Sequence, residues 1–272
     1  MGAGIVNLVT AVELIRDNWQ VEIYDASPDP REGAPADDYG CTWAGGNARM
    51  WTATEADCYP KAPFTIPITD GGWQVRDGAP DPAEEHWLLE HRRFGNTFAD
   101  DVYRLNLRAG HGWTRLRQNE PDLFDGVGLV EPVLRLHTDP VRLAADTARQ
   151  HRLGELRRAL TPEELRSAHP ALAHTEDQLV GAVEVEGFTL RVHDLVLRLL
   201  RWLELAGVRL WWRSRVHRIL RDTSGAVTAL ETVRGRIRAD CYVVSPGAYG
   251  GELLQGTATD GRIHGVLGVW AT

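Results

Sequence analysis

The sequence predicts an α/β protein, because patterns typical of helices and of strands alternate near both ends of the chain. Near the N-terminus, apolar residues recur every three or four positions over residues 8–15, and a strand-like segment, 21–24, follows. Near the C-terminus, a long helical pattern over 191–206 ends at Gly207, a residue type that commonly terminates helices. Four strand patterns then follow, over residues 208–212, 216–220, 227–232 and 241–244.

The middle of the chain predicts a long loop followed by further helices and strands. Residues 26–82 are rich in Gly, Pro, Asp and Thr and show little periodicity, which is typical of loops. We expect helices from Pro82 to about residue 107, from Pro140 to about residue 150 and from Pro162 to just before residue 170. We expect strands over residues 128–137 and 180–185.

Charge and composition exclude several classes of protein. The 272 residues are 43% hydrophobic and can form a core, while the net charge of −8 argues against a nucleic-acid partner. The three cysteines show no CxxC spacing, which excludes a disulfide framework and favours a cytoplasmic location. Neither cysteines nor histidines show a metal-binding spacing, and the most apolar stretch, 195–212, contains four charged residues. We therefore expect no metal site and no transmembrane helix.

The glycines at the N-terminus predict a site for a dinucleotide. A pyrophosphate can lie against a glycine turn at a helix N-terminus, where free N–H groups and the helix dipole attract anions. Asp25 follows about 20 residues later at the end of a strand, where a carboxylate can accept hydrogen bonds from ribose hydroxyls. The alternative is an ordinary helix cap with a surface aspartate. The predicted cofactor contacts in this region are Gly2, Gly4, Ile5, Val6, Asp25 and Ala26.

Two features depart from the dinucleotide-binding pattern. Asn7 stands where a third glycine normally lets helix and strand pack closely, so it either displaces the helix or requires a local shift. No apolar strand precedes Gly2, so we expect the parallel sheet to lack its central strand. We infer from this that the sequence begins inside a domain.

Several segments carry a resemblance to a known family. They are residues 2–6 (GAGIV), 21–25 (VEIYD), 42–47 (TWAGGN), 206–208 (AGV), 216–219 (VHRI) and 237–249 (IRADCYVVSPGAY). With them the chain resembles the FAD-dependent family of D-amino acid dehydrogenases, glycine oxidases and sarcosine oxidases, and its layout is most similar to the D-amino acid dehydrogenase branch. Because members of that family continue for roughly a hundred further residues, in keeping with ordinary domain sizes, part of the catalytic half is expected to lie beyond this sequence.

The resemblance implies an FAD cofactor and places further contacts. The strand that contains Val216 would contact the adenine, and the backbone near Ser245 and Gly247 would approach the dinucleotide. The loop beside the isoalloxazine ring would contain Gly45, Gly46, Asn47 and Arg49. For Arg49 a surface arginine is the alternative. Tyr249 would face either the flavin or solvent, and together with Arg49 it is the candidate for a catalytic role.

The resemblance also implies two domains. Residues 1–58 and 189–258 would form a Rossmann-like FAD-binding domain, and residues 59–188 with 259–272 an inserted, largely antiparallel α+β substrate domain. The implied reaction oxidises a small amine or amino acid: hydride passes to flavin N5, and water hydrolyses the imine. Oxygen or another electron acceptor would reoxidise the flavin. A substrate carboxylate would need an arginine, with Arg49 and Arg135 as candidates.

Two other hypotheses stay open at this point. The aromatic content of residues 41–73 is compatible with a flavin oxidoreductase that acts on a hydroxy acid or on a natural-product intermediate. Asn7 and the missing first strand are compatible with a flavin-free remnant that has no catalytic activity.

Overall fold

The structure, a computed structural model, describes residues 1–33, 50–54, 82–174, 178–247 and 250–260. Its chain contacts define two compact units. The first comprises Met1–Asn47, Pro80–Trp87 and Arg191–Thr272, and the second comprises Ala48–Ala79 and Leu88–Leu190. Among the described residues, no helix combines the length and the apolar character that crossing a membrane requires.

Five α-helices lie in the described part of the chain. They are α1 (Ile5–Arg16), α2 (Pro82–Asn119), α3 (Pro140–Leu153), α4 (Pro162–Ala168) and α5 (Val192–Leu205). Short 3₁₀ segments follow α2 at Pro121–Leu123 and α4 at Pro170–His174. The caps explain two of the starts: the Asp139 side chain accepts a hydrogen bond from the Val141 N–H, and Thr161 and Glu164 form a reciprocal capping box.

Ten strands are described, and they form four small sheets. The strands are β1 (Glu22–Tyr24), β2 (Met50–Trp51), β3 (Val133–His137), β4 (Leu156–Leu160), β5 (Gly181–Val185), β6 (Phe188–Thr189), β7 (Arg209–Trp211), β8 (Val216–Arg221), β9 (Val227–Thr232) and β10 (Gly235–Ile237). Of these described strands only β1 and β7 pair in parallel, in the first unit. In the same unit β8, β9 and β10 form an antiparallel meander.

A core of the first unit lies between α1 and α5. Leu8 and Val12 on α1 are fully buried, as are Leu199 and Leu203 on α5, and the two helices pack against each other. Full burial of each such side chain stabilises the fold by about 1.5–3 kcal/mol. The packing holds the N-terminus of α1 at the carboxyl end of β1, where Gly2 N–H donates to Tyr24 O at 2.9 Å.

In the second unit all described strands pair in antiparallel fashion. β5 lies between β3 and β4, and β2 pairs with β6. Apolar side chains on one face of the three-stranded sheet form a core of Val133, Val183 and Val185, against which Leu143 and Leu156 pack.

The structure confirms the predicted helices and most of the predicted strands, with three differences. α2 continues to Asn119 instead of ending near residue 107, because buried Leu116 stabilises its last turns despite two glycines. β3 begins at Val133 rather than at residue 128, since Pro132 has no N–H for a ladder. Residues 241–244 form no strand. The backbone there contacts Met1, through Met1 N to Val243 O at 2.6 Å and, just after the segment, Ser245 N to Met1 O at 3.2 Å, and these bonds do not form a ladder.

Candidate cofactor-binding site

The turn before α1 requires glycine at position 2. Gly2 has a φ of +89°, a conformation that side chains rarely adopt. A Cβ atom there would lie 2.8 Å from the backbone oxygen of Ser245 and 3.3 Å from Nδ2 of Asn7. The turn therefore packs directly against the segment that contains Ser245, and any side chain would force the two apart.

The N-terminus of α1 is open to an anion. Gly4 is the N-cap in an extended conformation, with φ −71° and ψ 163°, and no side chain caps the helix. The first turn contains no acidic residue. The backbone N–H groups of the first turn and the positive end of the helix dipole can therefore bind a negatively charged group. Ile5 and Val6 would contribute N–H groups, and the side chain of Val6 is exposed.

Asp25 connects the glycine turn to the ends of two strands. Its carboxylate accepts the N–H of Ala3 at 2.5 Å and the N–H of Ser27 at 2.7 Å. Its backbone N–H donates to Trp211 O at 3.0 Å, and its backbone oxygen accepts from Ser214 N at 2.7 Å. A carboxylate has about four acceptor sites, so two are left for ribose hydroxyls. Ala26, the next residue, is exposed.

Asn7 is accommodated in the turn through hydrogen bonds of its side chain. Its side chain is buried, and Nδ2 donates to the backbone oxygens of Met1 and, at 2.8 Å, Gly2. The sequence pattern marked Asn7 only as a departure from the third glycine. In the structure it fixes the carbonyls of the turn, while its Oδ1 atom is buried and has no hydrogen-bond partner among the described residues. No sequence signal could have found this role, because it depends on carbonyl orientations inside the turn.

The remaining predicted contacts in the first unit lie at the strands around the turn. Val216 is buried at the start of β8, two residues after Ser214, which bonds to Asp25. Ser245 contacts the turn through its backbone. Gly247, two residues further on, is exposed and has a φ of +61°. Gly45, Gly46, Asn47, Arg49 and Tyr249 lie outside the described residues.

The arrangement is compatible with a dinucleotide. The uncapped end of α1 can hold a pyrophosphate, and the remaining acceptor sites of the Asp25 carboxylate can hold a ribose. Val216 is only two residues from Ser214, whose N–H donates to the backbone oxygen of Asp25. Because Gly2 has no side chain, its backbone can pack closely against the backbone of Ser245. The residues present therefore fit the cofactor that the sequence predicts.

Arg135, the candidate for binding a substrate carboxylate, has partners in the second unit. Its Nη2 atom donates to Thr54 Oγ1 at 2.9 Å, and its Nη1 atom lies 3.8 Å from Asp146 Oδ1. Nε2 of His137 lies 3.1 Å from the other oxygen of Asp146, and Gln150 donates to Oδ1 at 2.8 Å. Asp146 thus balances the charge of Arg135 in the structure.

Comparison with known proteins gives a family match. The family described as FAD dependent oxidoreductase matches residues 1–269. A D-amino acid dehydrogenase of Rhodopseudomonas palustris (strain HaA2) is 25% identical over an alignment 289 positions long, which covers 98% of this chain and 64% of the relative. The chain therefore spans less than two thirds of that relative's length.

Solved structures show the same fold. Glycine oxidase from Geobacillus kaustophilus has a TM-score of 0.57 and 21% identity. Glycine oxidase from Bacillus cereus ATCC 14579 has a TM-score of 0.56 and 16% identity. Each match covers 93% of this chain and 55% of the solved chain. These similarities show a fold shared with the two oxidases, over about half of their length.

Proposed function

This chain belongs to the family of FAD-dependent oxidoreductases, and on that premise we propose that it binds FAD in its first unit and oxidises a small amine or amino acid. The substrate class rests on the names of the similar proteins, a D-amino acid dehydrogenase and two glycine oxidases. The observation that supports the proposal most strongly is the meeting of the glycine turn, the uncapped end of α1 and Asp25 at one place.

The first unit would hold the adenine half of FAD. The N–H groups from Gly4 to Val6 would bind the pyrophosphate, and the Asp25 carboxylate would accept hydrogen bonds from the adenosine ribose. Because Asp25 also accepts the N–H of Ala3, it fixes the turn before the cofactor arrives. Preorganisation of this kind favours binding, since less conformational freedom is lost.

Bound FAD supplies the acceptor for the hydride that leaves the carbon next to the substrate nitrogen, after which water hydrolyses the imine. The chain's contribution is to hold the cofactor at a fixed place so that distance and angle to the substrate are set. We propose that the region of residues 59–188 forms most of the substrate domain. Gly45, Gly46, Asn47 and Arg49 would approach the isoalloxazine ring, and the role of Tyr249 is part of the same proposal.

The test begins with the complete protein, purified and mixed anaerobically with a panel of D- and L-amino acids, simple amines and hydroxy acids. We expect a flavin absorption band that amino acids or amines bleach. Bleaching by hydroxy acids alone would contradict the proposed substrate class. Readmitting oxygen then distinguishes the electron acceptors, because an oxidase regains its flavin band with oxygen whereas a dehydrogenase needs another acceptor.

A flavin-free remnant makes the opposite prediction for the same preparation. Its features were Asn7 and the missing first strand. In the structure Asn7 stabilises the glycine turn instead of disrupting it, and Met1 and Gly2 form backbone hydrogen bonds with Val243, Ser245 and Tyr24. These contacts support a turn that can still bind a cofactor. A colourless protein that takes up no added FAD would favour the remnant.

A further inference from the structure

A cavity in the second unit combines carboxylates with aromatic side chains. It has a volume of about 370 Å³ and lies beside α2, β2 and β6. Its acidic lining residues are Glu131, Glu155 and Glu186, and its aromatic ones are Trp51, Trp113 and Phe188. Ligand sites in proteins commonly occupy about 300–1,000 Å³ and combine apolar walls with a few polar groups. The size therefore suits one small organic molecule.

Two of the three carboxylates are neutralised by arginine. Arg117 Nη1 lies 2.5 Å from Glu131 Oε1. Arg157 binds Glu186 through two hydrogen bonds, each of 2.8 Å. Charge-assisted pairs of this kind satisfy both partners. Glu131 and Glu186 therefore need no further cation to balance their charge.

Glu155 has no such partner in the described part of the chain. It is 9% exposed, and the one donor to its carboxylate there is the Tyr103 hydroxyl, at 3.5 Å from Oε1. Burial, together with the nearby charge of Glu186, raises the pKa of Glu155 above its ordinary value. A buried carboxylate without a cation is costly, so a positively charged ligand would gain by binding beside it.

The aromatic wall suits an apolar skeleton. The rings of Trp51 and Phe188 stack with centroids 5.8 Å apart, and Trp113 meets Phe188 edge-on at 5.6 Å. Arg117 already places its guanidinium carbon 5.8 Å from the centroid of Phe188. Because that guanidinium already lies over the ring of Phe188, the aromatic side chains offer apolar contact to a carbon skeleton rather than a second cation site.

The chemistry favours an organic ammonium ion over a metal. In the described residues no group of three or more His, Cys, Asp or Glu is arranged to hold a metal ion. Aromatic walls suit a carbon skeleton, and one free carboxylate suits one charge. We propose that this cavity binds a small primary ammonium compound, with the charged group at Glu155 and the skeleton against Trp51, Trp113 and Phe188. The inference does not depend on FAD binding or on the proposed oxidation.

The test uses the complete, FAD-loaded protein and benzylamine, which is protonated at neutral pH. Isothermal titration measures its binding, with benzyl alcohol as the uncharged analogue. We expect saturable binding of benzylamine, and at least tenfold weaker binding of the alcohol. Glu155→Gln keeps the shape of the side chain and should weaken benzylamine binding at least tenfold. Glu184→Gln is the control, because Glu184 pairs with Arg158 and does not line the cavity.

Three results would overturn the proposal. They are no saturable binding, equal affinity for benzylamine in the wild type and Glu155→Gln, and equal affinity for the amine and the alcohol. Thermal melting curves establish that both variants fold. The flavin spectrum, recorded in the same titration, separates this site from the reaction site: binding that perturbs the flavin and is unaffected by Glu155→Gln belongs to the reaction site and contradicts the assignment. FAD content is measured independently, so a failure of the proposed function is recognised separately.

Discussion

Replacing Gly2 by alanine should damage the cofactor site far more than the same change at another glycine of similar conformation. Gly225, in the turn between β8 and β9, has a φ of +85°, against +89° for Gly2, but a Cβ atom there would meet nothing within 4 Å. At both positions alanine costs about 1–2 kcal/mol for the left-handed backbone. Only at Gly2 does the new Cβ atom collide, at 2.8 Å, with the oxygen of Ser245.

The expected magnitude follows from this collision. Overpacking typically adds about 1–3 kcal/mol, and the turn relieves it by moving away from Ser245. If the movement removes one hydrogen bond to the charged pyrophosphate, worth about 1.5–3 kcal/mol, the affinity for FAD falls roughly 10- to 150-fold. In Gly225→Ala the backbone strain should lower the free energy of unfolding by a similar amount, and the affinity for FAD should stay at the wild-type value.

In the assay, each apoprotein is titrated with FAD, and the quenching of flavin fluorescence reports binding. Thermal unfolding is measured in parallel. The melting curve shows whether the Gly2→Ala protein is folded at the temperature of the titration. Equal affinity for FAD in Gly2→Ala and Gly225→Ala would show that the contact with Ser245 does not matter for the cofactor, because the two variants share the backbone strain and differ in that contact.

Three further predictions follow from single side chains. Asp25→Ala should weaken FAD binding about 10- to 150-fold in the same titration, whereas Asp29→Ala, which also removes an acceptor of a backbone N–H, should leave it unchanged. Asn7→Gly should lower the apoprotein's stability by about 1–2 kcal/mol in chemical denaturation and weaken FAD binding severalfold, because the carbonyls of the turn lose their donor; unchanged values would contradict this. The raised pKa of Glu155 means that its native state holds a proton more tightly than its unfolded state, so stability falls as pH rises above the ordinary value of 4.5. Glu155→Gln should therefore raise the melting temperature at pH 7 and lose this advantage at pH 4, and an equal gain at both would be inconsistent with the pKa shift.

The sequence predicted most elements whose local signals agree with their packing. The α1 and α5 helices follow an apolar periodicity that the structure buries, and the Asp139 and Thr161 caps mark the starts of α3 and α4. β4 had no such signal, because its centre contains Arg157 and Arg158. These exposed side chains pair with Glu186 and Glu184, which are distant in the sequence. Such partners cannot be inferred from local sequence.

The candidate site was predictable where it depends on backbone conformation. A glycine at position 2 and an acid at position 25 indicate a turn and a strand end, and the structure brings both together. The role of Asn7 and the burial of Glu155 without an arginine partner in the described part of the chain depend on long-range packing. The sequence pattern of either residue is the same as that of an ordinary polar side chain, so only the fold distinguishes them.

The cofactor site is tested most directly by a titration of the complete, flavin-depleted protein with FAD, comparing the wild type with Asp25→Ala. We expect saturable binding at one site per chain in the wild type, with a resolved flavin absorption band, and a loss of affinity of at least tenfold in the variant. Binding of equal strength in both proteins would contradict the placement of the cofactor, and an absence of binding to the folded wild type would contradict the cofactor itself.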